Sequence, residues 1–135
     1  MKELKKILFV CVENAGRSQM AEGFLREFAP HIDVVSAGTE PKSQLNPIVV
    51  DVMKEIGIDI TKQKPKELTK DMIAQSIIVN MGCMDRNSCP ALFVKDVIDW
   101  NISDPKDKEI AQVREIRDQI KNQVLKLVKK LEKQL

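Results

Sequence analysis

The sequence predicts an α/β protein in which a parallel β-sheet carries helices on both faces. Two observations lead to this prediction. Short apolar segments rich in β-forming residues alternate with longer segments of helical periodicity, which is the pattern of parallel βαβ units. The chain has 135 residues, 43% of them hydrophobic, and contains no repeat, linker or low-complexity segment. We therefore expect a single domain that spans residues 1–135.

Four segments are predicted to form the strands of the sheet. They are short and continuously apolar, as expected of strands that are buried on both faces. The first three end near a loop that contains cysteine or glycine. They cover residues 5–11, 32–38 and 76–82, and a fourth strand is predicted within residues 92–100.

The segments between the strands have the apolar spacing of amphipathic helices. The first helix is expected to follow Ser18, which could cap it, and to stop at Pro30. A second helical stripe ends at Gly57, and a short helix is expected within residues 67–75. From about residue 107 to the end, apolar residues recur every three or four positions and predict one long helix.

Composition excludes several classes of function. The net charge is only +2, with no basic cluster, so we expect no nucleic-acid partner. No apolar run approaches the ~20 residues of a membrane span, and no signal peptide is recognisable. Three cysteines, an odd number, do not suggest a structural disulfide framework. We expect a cytoplasmic monomer without a membrane partner.

The segment "VCVENAGRSQ", residues 10–19, is the clearest candidate site. It places Cys11 at a strand end and Arg17 at the start of a helix, where backbone N–H groups and the helix dipole favour an anion. Gly16 permits a tight bend, and the Arg17 fork matches two oxygens of a tetrahedral oxyanion. The same surroundings favour a thiolate, which Ser18 could steady by a hydrogen bond. The alternative is an inert buried cysteine near an unrelated arginine.

A second candidate site is the segment "GCMDRNSCP", which contains Cys83 and Cys89. It follows the third predicted strand, so it would face the Cys11 loop if the first and third strands are neighbours. A zinc site is a poor explanation, since the spacing is wrong and the chain has one histidine, His31. Two buried structural thiols remain the main alternative to redox chemistry.

The stretches "VCVENAGRSQMAEGF" and "VVSAGTEP", with the pair Asp104–Pro105, resemble the low-molecular-weight protein tyrosine phosphatase family. More narrowly, they are similar to the thioredoxin-coupled arsenate reductases built on that fold. The resemblance runs along nearly the whole chain and implies a four-stranded sheet in the order 2-1-3-4.

The resemblance also implies a role for each residue of the site. Cys11 would be the nucleophile, Ser18 would tune its thiolate, and Asp104 would be the general acid. Asp104 could instead cap the last helix, with Pro105 at the first helical position, and both roles could coexist. The oxyanion-binding loop would comprise Val12, Glu13, Asn14, Ala15, Gly16 and Arg17, with Arg17 gripping the oxyanion and Asn14 supporting the loop. No cofactor is implied, and a potassium site at Asn14, Glu22 and Ser36 is a weaker implication.

Two features favour the reductase branch of the family. Members of that branch carry a cysteine pair where Cys83 and Cys89 stand. The chain also contains no tyrosine, whereas phosphatases of this fold usually flank the site with aromatic residues. The resemblance implies that arsenate forms an adduct with Cys11, and that a disulfide then passes through Cys11, Cys83 and Cys89 to thioredoxin.

Two other functions stay open at this point. The first is a phosphatase that uses Cys11, Arg17 and Asp104 on a phosphorylated substrate. The second is a module without enzymatic activity that binds an oxyanion or senses thiol oxidation.

Overall fold

The computed structural model describes residues 6–82 and 97–133. Within these ranges no helix is both long enough and apolar enough to cross a membrane. The described residues form eight elements in chain order: β1 (Lys6–Cys11), α1 (Arg17–Phe28), β2 (Val34–Gly38), α2 (Pro47–Lys54), α3 (Lys70–Gln75), β3 (Ser76–Asn80), β4 (Val97–Asp99) and α4 (Ile110–Glu132).

The four strands form one parallel sheet in the order β2-β1-β3-β4, which confirms the implied order 2-1-3-4. β1 lies in the middle, with β2 on one side and β3 on the other. Its last residues, Val10 and Cys11, pair in register with Asn80 of β3 and Gly38 of β2. The carboxyl ends of these three strands therefore meet at one edge, where parallel sheets place their ligands.

The continuous apolar run of β1 is explained by burial on both faces of the sheet. Ile7 and Phe9 point into the larger core, which the sheet forms with α1, α2 and α4. Leu8 and Val10 point into a smaller core that includes Ile73 of α3. The α/β class with helices on both faces is confirmed. Among the described residues, the second face carries the short α3 alone.

The start of α1 differs from the sequence prediction. Ser18 does not cap the helix: Gly16 occupies the N-cap position and makes no side-chain hydrogen bond there. Ser18 is instead the second helical residue, fully buried, and its hydroxyl accepts a hydrogen bond from Asn14. The residue that looked like a cap therefore contacts the loop before the helix, through Asn14.

The start of α4 also corrects one alternative. The helix begins at Ile110 behind the N-cap Glu109, which forms a capping box with Gln112. Such a box satisfies two N–H groups at the helix start, so the helix needs no cap further upstream. Asp104 and Pro105 therefore lie in the preceding loop, and the prediction that Asp104 could be the helix N-cap is wrong.

Ion pairs tie α4 to the end of α2. Arg114 binds the Glu55 carboxylate through Nε and Nη2, at 3.0 and 2.6 Å. Arg117 donates from Nη1 to the carbonyl of Val52 at 2.9 Å and to Glu55 at 3.0 Å. The hydrogen bond from Arg114 is the main reason that the pKa of Glu55 lies below its usual value. This cluster fixes α4 against the C-terminal end of α2.

Candidate active site

The loop between β1 and α1 directs its carbonyl groups away from its own centre. They accept hydrogen bonds from the amides of a neighbouring loop: Val12 from Glu40 at 2.8 Å, Glu13 from Lys42 at 3.0 Å and Ala15 from Asn46 at 2.9 Å. By contrast, no group in the described ranges accepts a hydrogen bond from the backbone N–H of residues 13–16. Asn14 and Ala15 are buried, and buried N–H groups rarely lack an acceptor. A run of such donors forms an anion-binding concavity.

Asn14 is the residue that holds this loop in shape. Its backbone is in the left-handed region, with φ of 51°, which asparagine tolerates better than most residues. Its side-chain oxygen accepts hydrogen bonds from the Lys66 amide at 2.8 Å and from Gln19 at 3.0 Å. Its side-chain nitrogen donates to the Ser18 hydroxyl at 2.8 Å. These three side-chain hydrogen bonds are the contacts through which Asn14 would support the loop, as predicted.

Gln19 is a buried residue of the site that the sequence analysis did not identify. Its Nε2 donates to the backbone oxygen of Asn14 at 2.9 Å and to that of Lys64 at 3.1 Å. Its Oε1 accepts a hydrogen bond from Gln63 at 2.9 Å. One indication of this role was visible in the sequence: Gln19 directly follows Ser18 on a helix that packs against the sheet.

Cys11 ends β1 and begins the loop, and it is 6% exposed. Its neighbour in register, Gly38, allows the very close approach of β2. A Cβ atom at residue 38 would lie 2.4 Å from the oxygen of Val12 and 2.9 Å from that of Cys11. Because backbone atoms cannot give way easily, only glycine fits there. The thiol therefore has a defined place at the sheet edge.

Arg17 is the first residue of α1, and its side chain is 8% exposed. Nη1 donates to the carbonyl of Ile102 at 2.7 Å, and Nη2 lies 3.7 Å from Oδ2 of Asp104. Its buried Nε has no hydrogen-bond partner among the described residues. The guanidinium is thus fixed on one side and keeps an unsatisfied donor, as expected of a group that binds an oxyanion.

Asp104 lies at the edge of the same loop. Its Oδ1 accepts a hydrogen bond from the Lys106 amide at 2.9 Å, and its side chain is 58% exposed. Pro105 packs against Gly16, where an added Cβ would come within 3.1 Å of the proline ring. Asp104 is therefore close to Arg17 and open to solvent, as a proton donor at a site entrance would be.

A cavity of about 530 Å³ opens beside the oxyanion loop, between residues 42–48 and 104–107. Glu13 stands at its edge and lies 3.7 Å from Nζ of Lys42 and 3.5 Å from Nζ of Lys106. These ion pairs are largely exposed, so we expect them to stabilise the fold only slightly. The cavity gives access to the loop from solvent.

The predicted potassium ligands lie near positive side chains. Glu22 is 1% exposed, and its Oε1 accepts a hydrogen bond from Ser36 at 2.7 Å. Lys66 Nζ lies 3.7 Å from the same oxygen, and Arg26 binds the other oxygen at 3.1 Å. Since the buried carboxylate is already compensated by two cations, it fits a potassium ion poorly. The potassium prediction stays untested.

The structure brings together Cys11, Arg17, Ser18 and Asp104, but it does not test the second cysteine loop. Cys83 and Cys89 lie outside the described residues. The expectation on which their placement depends is confirmed, because β1 and β3 are neighbours in the sheet. Residues 81 and 82, directly before Cys83, are described.

Comparison with known proteins agrees with this geometry. Residues 6–135 match the family model described as low molecular weight phosphotyrosine protein phosphatase. An arsenate reductase of Staphylococcus aureus strain N315 is 39% identical over 121 residues, covering 87% of this chain and 91% of its own. A glutaredoxin arsenate reductase of Synechocystis is 33% identical over 136 residues, covering 95% of this chain and 99% of its own.

Solved structures of arsenate reductases also superpose on this chain. A structure described as an arsenate reductase in the phosphate binding state superposes with a TM-score of 0.79 at 33% identity, covering 93% of this chain and 98% of its own. A thioredoxin-dependent arsenate reductase of Corynebacterium glutamicum superposes with a TM-score of 0.82 at 34% identity. It covers 99% of this chain and 65% of its own length.

Proposed function

Because the chain belongs to the low-molecular-weight phosphotyrosine protein phosphatase family, we propose that it is an enzyme that reduces arsenate to arsenite. The observation that carries the proposal is the set of unpaired donors around the Cys11 loop. The N–H groups of residues 13–16 and Nε of Arg17 lack acceptors among the described residues. A tetrahedral oxyanion would satisfy them. The relatives named as arsenate reductases support arsenate as that oxyanion.

The first step is attack by Cys11 on the bound oxyanion. Arsenate lies in the loop with its oxygens on the N–H groups and on Arg17. The Cys11 thiolate forms a sulfur–arsenic bond, and one arsenic–oxygen bond breaks. Asp104, in its protonated form, gives its proton to the departing hydroxyl, which leaves as water. The Asp104 carboxylate then remains beside the Arg17 guanidinium, whose Nη2 lies 3.7 Å from Oδ2.

The second step transfers two electrons to arsenic. The Cys83 thiolate attacks the Cys11 sulfur, so a disulfide forms between these two residues. The sulfur–arsenic bond breaks, and its electron pair stays on arsenic, which leaves as arsenite. Cys89 next attacks Cys83 and displaces the Cys11 thiolate. A dithiol reductant, which we propose to be thioredoxin, reduces the Cys83–Cys89 disulfide and restores the enzyme.

One preparation can test this function against its main competitor. Arsenate-dependent oxidation of thioredoxin and hydrolysis of an aryl phosphate are measured side by side, with glutaredoxin plus glutathione as the control reductant. We expect arsenate turnover with thioredoxin that far exceeds phosphatase turnover. Turnover only with glutaredoxin would contradict the choice of reductant. Binding of phosphate without turnover of either substrate would contradict the enzyme and favour an oxyanion-binding module.

A phosphatase is the second candidate function. The same three groups, Cys11, Arg17 and Asp104, suffice for hydrolysis of a phosphate ester. Asp104 also lines the cavity of about 530 Å³ that opens beside the oxyanion loop. No step of that reaction needs Cys83 or Cys89. If the main activity is phosphatase activity and survives replacement of both cysteines by serine, this candidate replaces the reductase.

The two remaining cysteines should have different roles, and this is our first prediction. Cys83→Ser should prevent arsenite release, because no thiol then attacks the Cys11 adduct. Cys89→Ser should release one arsenite per enzyme and leave a Cys11–Cys83 disulfide. Mass spectrometry after one arsenate turnover identifies the bonded cysteines. Wild-type reduction kinetics in both variants would show that neither cysteine takes part.

A further inference from the structure

Gly82 sits in a position that no other residue type can occupy without moving its surroundings. Its φ of +92° lies in the region that favours glycine. A Cβ atom there would lie 2.8 Å from the oxygen of Trp100 and 3.0 Å from the nitrogen of Ile102. Both are backbone atoms, so neither can swing aside. The Gly82 N–H donates to Oδ1 of Asn80 at 3.2 Å, which holds the glycine in place.

The backbone that Gly82 touches is the same backbone that holds Arg17. The carbonyl of Ile102 accepts the 2.7 Å hydrogen bond from Nη1, which is shorter than the 3.7 Å contact of Nη2 with Asp104. That carbonyl oxygen would lie 3.3 Å from a Cβ atom at residue 82. Ile102 is 3% exposed and Trp100 is 7% exposed, so the segment has little room to shift. Asp104 follows Ile102 by two residues.

We propose that Gly82 is a positioning residue for the oxyanion site, acting through Ile102 on Arg17. The absence of a side chain at residue 82 lets the segment of residues 100–102 lie where its carbonyl fixes the guanidinium. Gly82, directly before Cys83, and the guanidinium of Arg17 therefore both lie against the backbone of Ile102. The proposal rests on the binding of an oxyanion by Arg17 in the proposed function.

The test compares two glycines that both have a positive φ. Gly57 also has positive φ, +82°, but a Cβ atom there would meet nothing within 4 Å. Gly57→Ala therefore carries the conformational cost alone, whereas Gly82→Ala adds the collision with residues 100–102. The dissociation constant for inorganic phosphate is measured by calorimetry on the reduced, full-length chain, at a temperature where all variants are folded. This readout needs no turnover.

We expect Gly82→Ala to raise the phosphate dissociation constant about tenfold or more, the usual effect of weakening a charged hydrogen bond. Gly57→Ala should leave it within about twofold of wild type, although its unfolding midpoint also falls. Equal phosphate binding by wild type and Gly82→Ala would overturn the inference. Absence of phosphate binding in the wild type would instead overturn the proposed function.

If Gly82→Ala does not fold, Asn80→Ala takes its place in the same measurement. It removes the acceptor of the Gly82 N–H, and with it the hydrogen bond that Asn80 donates to Asp99 at 3.1 Å. It adds no atom near Ile102, so Gly82 is held less firmly. We expect the phosphate dissociation constant to rise about threefold or more, as for the partial loss of one hydrogen bond. A value equal to that of Gly57→Ala would overturn the inference.

Discussion

At the scale of single residues, our second prediction concerns Cys11, the nucleophile of the proposed reaction. Cys11→Ser should abolish both arsenate reduction and any hydrolysis of aryl phosphate, because a serine hydroxyl is a far weaker nucleophile than a thiolate. The thermal unfolding midpoint should change little, since serine is close in size. Substantial turnover by this variant would assign the nucleophile to another residue.

Asp104 gives the third prediction. Asp104→Asn should slow the first chemical step by about 10²–10⁴-fold, because the departing oxygen then receives no proton from residue 104. Asp107→Asn is the matched control: Asp107 lines the same cavity and has a φ of 60°, which asparagine tolerates equally. Single-turnover kinetics under saturating arsenate separate the chemical step from binding. Equal rates for the two variants would remove Asp104 from the mechanism.

The site residues that spacing alone could predict are those that lie close together in the sequence. Cys11, Arg17 and Ser18 fall within one strand–loop–helix connection, so their spacing already implied a common site. Ile102 could not be found in this way. It is separated from Arg17 by 85 residues and acts through its backbone carbonyl, so its side chain carries no signal.

The same limit applies to the partners of Asn14. The Lys66 amide lies 52 residues away in the sequence and contributes only backbone atoms. Gln19 was visible as a polar residue in an amphipathic helix, but its burial depends on the packing of α1 against the sheet and on residues 63 and 64. Contacts made by backbone atoms of distant segments require the three-dimensional fold.

At the scale of elements, the ion pairs between α2 and α4 give the fourth prediction. The pKa of Glu55 is lowered mainly by its hydrogen bond with Arg114. A carboxyl group with a lowered pKa stabilises the fold above its unfolded-state pKa, and this contribution disappears as the pH falls through the folded-state pKa. Glu55→Gln should therefore lower the unfolding midpoint at pH 7 and make no difference at a pH well below ~4.

The control for this prediction is Glu115→Gln, which removes an exposed glutamate from α4. Thermal unfolding followed by circular dichroism at several pH values measures both variants. The wild type and Glu115→Gln should show the same loss of stability between pH 6 and pH 3, within the small effect of one surface charge. A Glu55→Gln variant that keeps its difference from wild type at pH 3 would show that the effect does not depend on charge.

The bounds of an element were predicted well where a single pattern of residues determines them. β1 is apolar on both faces because cores lie on both faces, and its predicted and observed bounds agree within one residue. The start of α4 was predicted too early, at about residue 107. Apolar periodicity shows that a helix exists, whereas its first residue depends on the capping box of Glu109 and Gln112.

At the scale of the whole molecule, the order of the strands decides which loops meet. Alternating strands and helices are compatible with several orders of a parallel sheet, so periodicity alone could not give β2-β1-β3-β4. The order came from the family resemblance, and the structure confirms it. With β1 between β2 and β3, the loop after β1 starts at the middle of the sheet edge. Gly38 and Lys66 approach it on the side of β2.

The last prediction concerns the coupling of ligand binding to the stability of the entire domain. An oxyanion that binds only the folded chain stabilises it by RT ln(1 + [L]/Kd), about 2.7 kcal/mol at 100 times the dissociation constant. For a domain of this size 1 kcal/mol corresponds to about 4 °C, so saturating phosphate should raise the unfolding midpoint by about 10 °C.

Two comparisons make this measurement specific to the site. Chloride at equal ionic strength should produce almost no shift, since a spherical monovalent ion cannot satisfy the N–H groups of residues 13–16 and Arg17 together. Arg17→Ala should lose most of the phosphate-dependent shift, although its midpoint without phosphate falls for a separate reason, the lost hydrogen bond to Ile102. An equal phosphate shift in wild type and Arg17→Ala would mean that phosphate binds elsewhere on the chain, and the unpaired donors of the loop would then require another explanation.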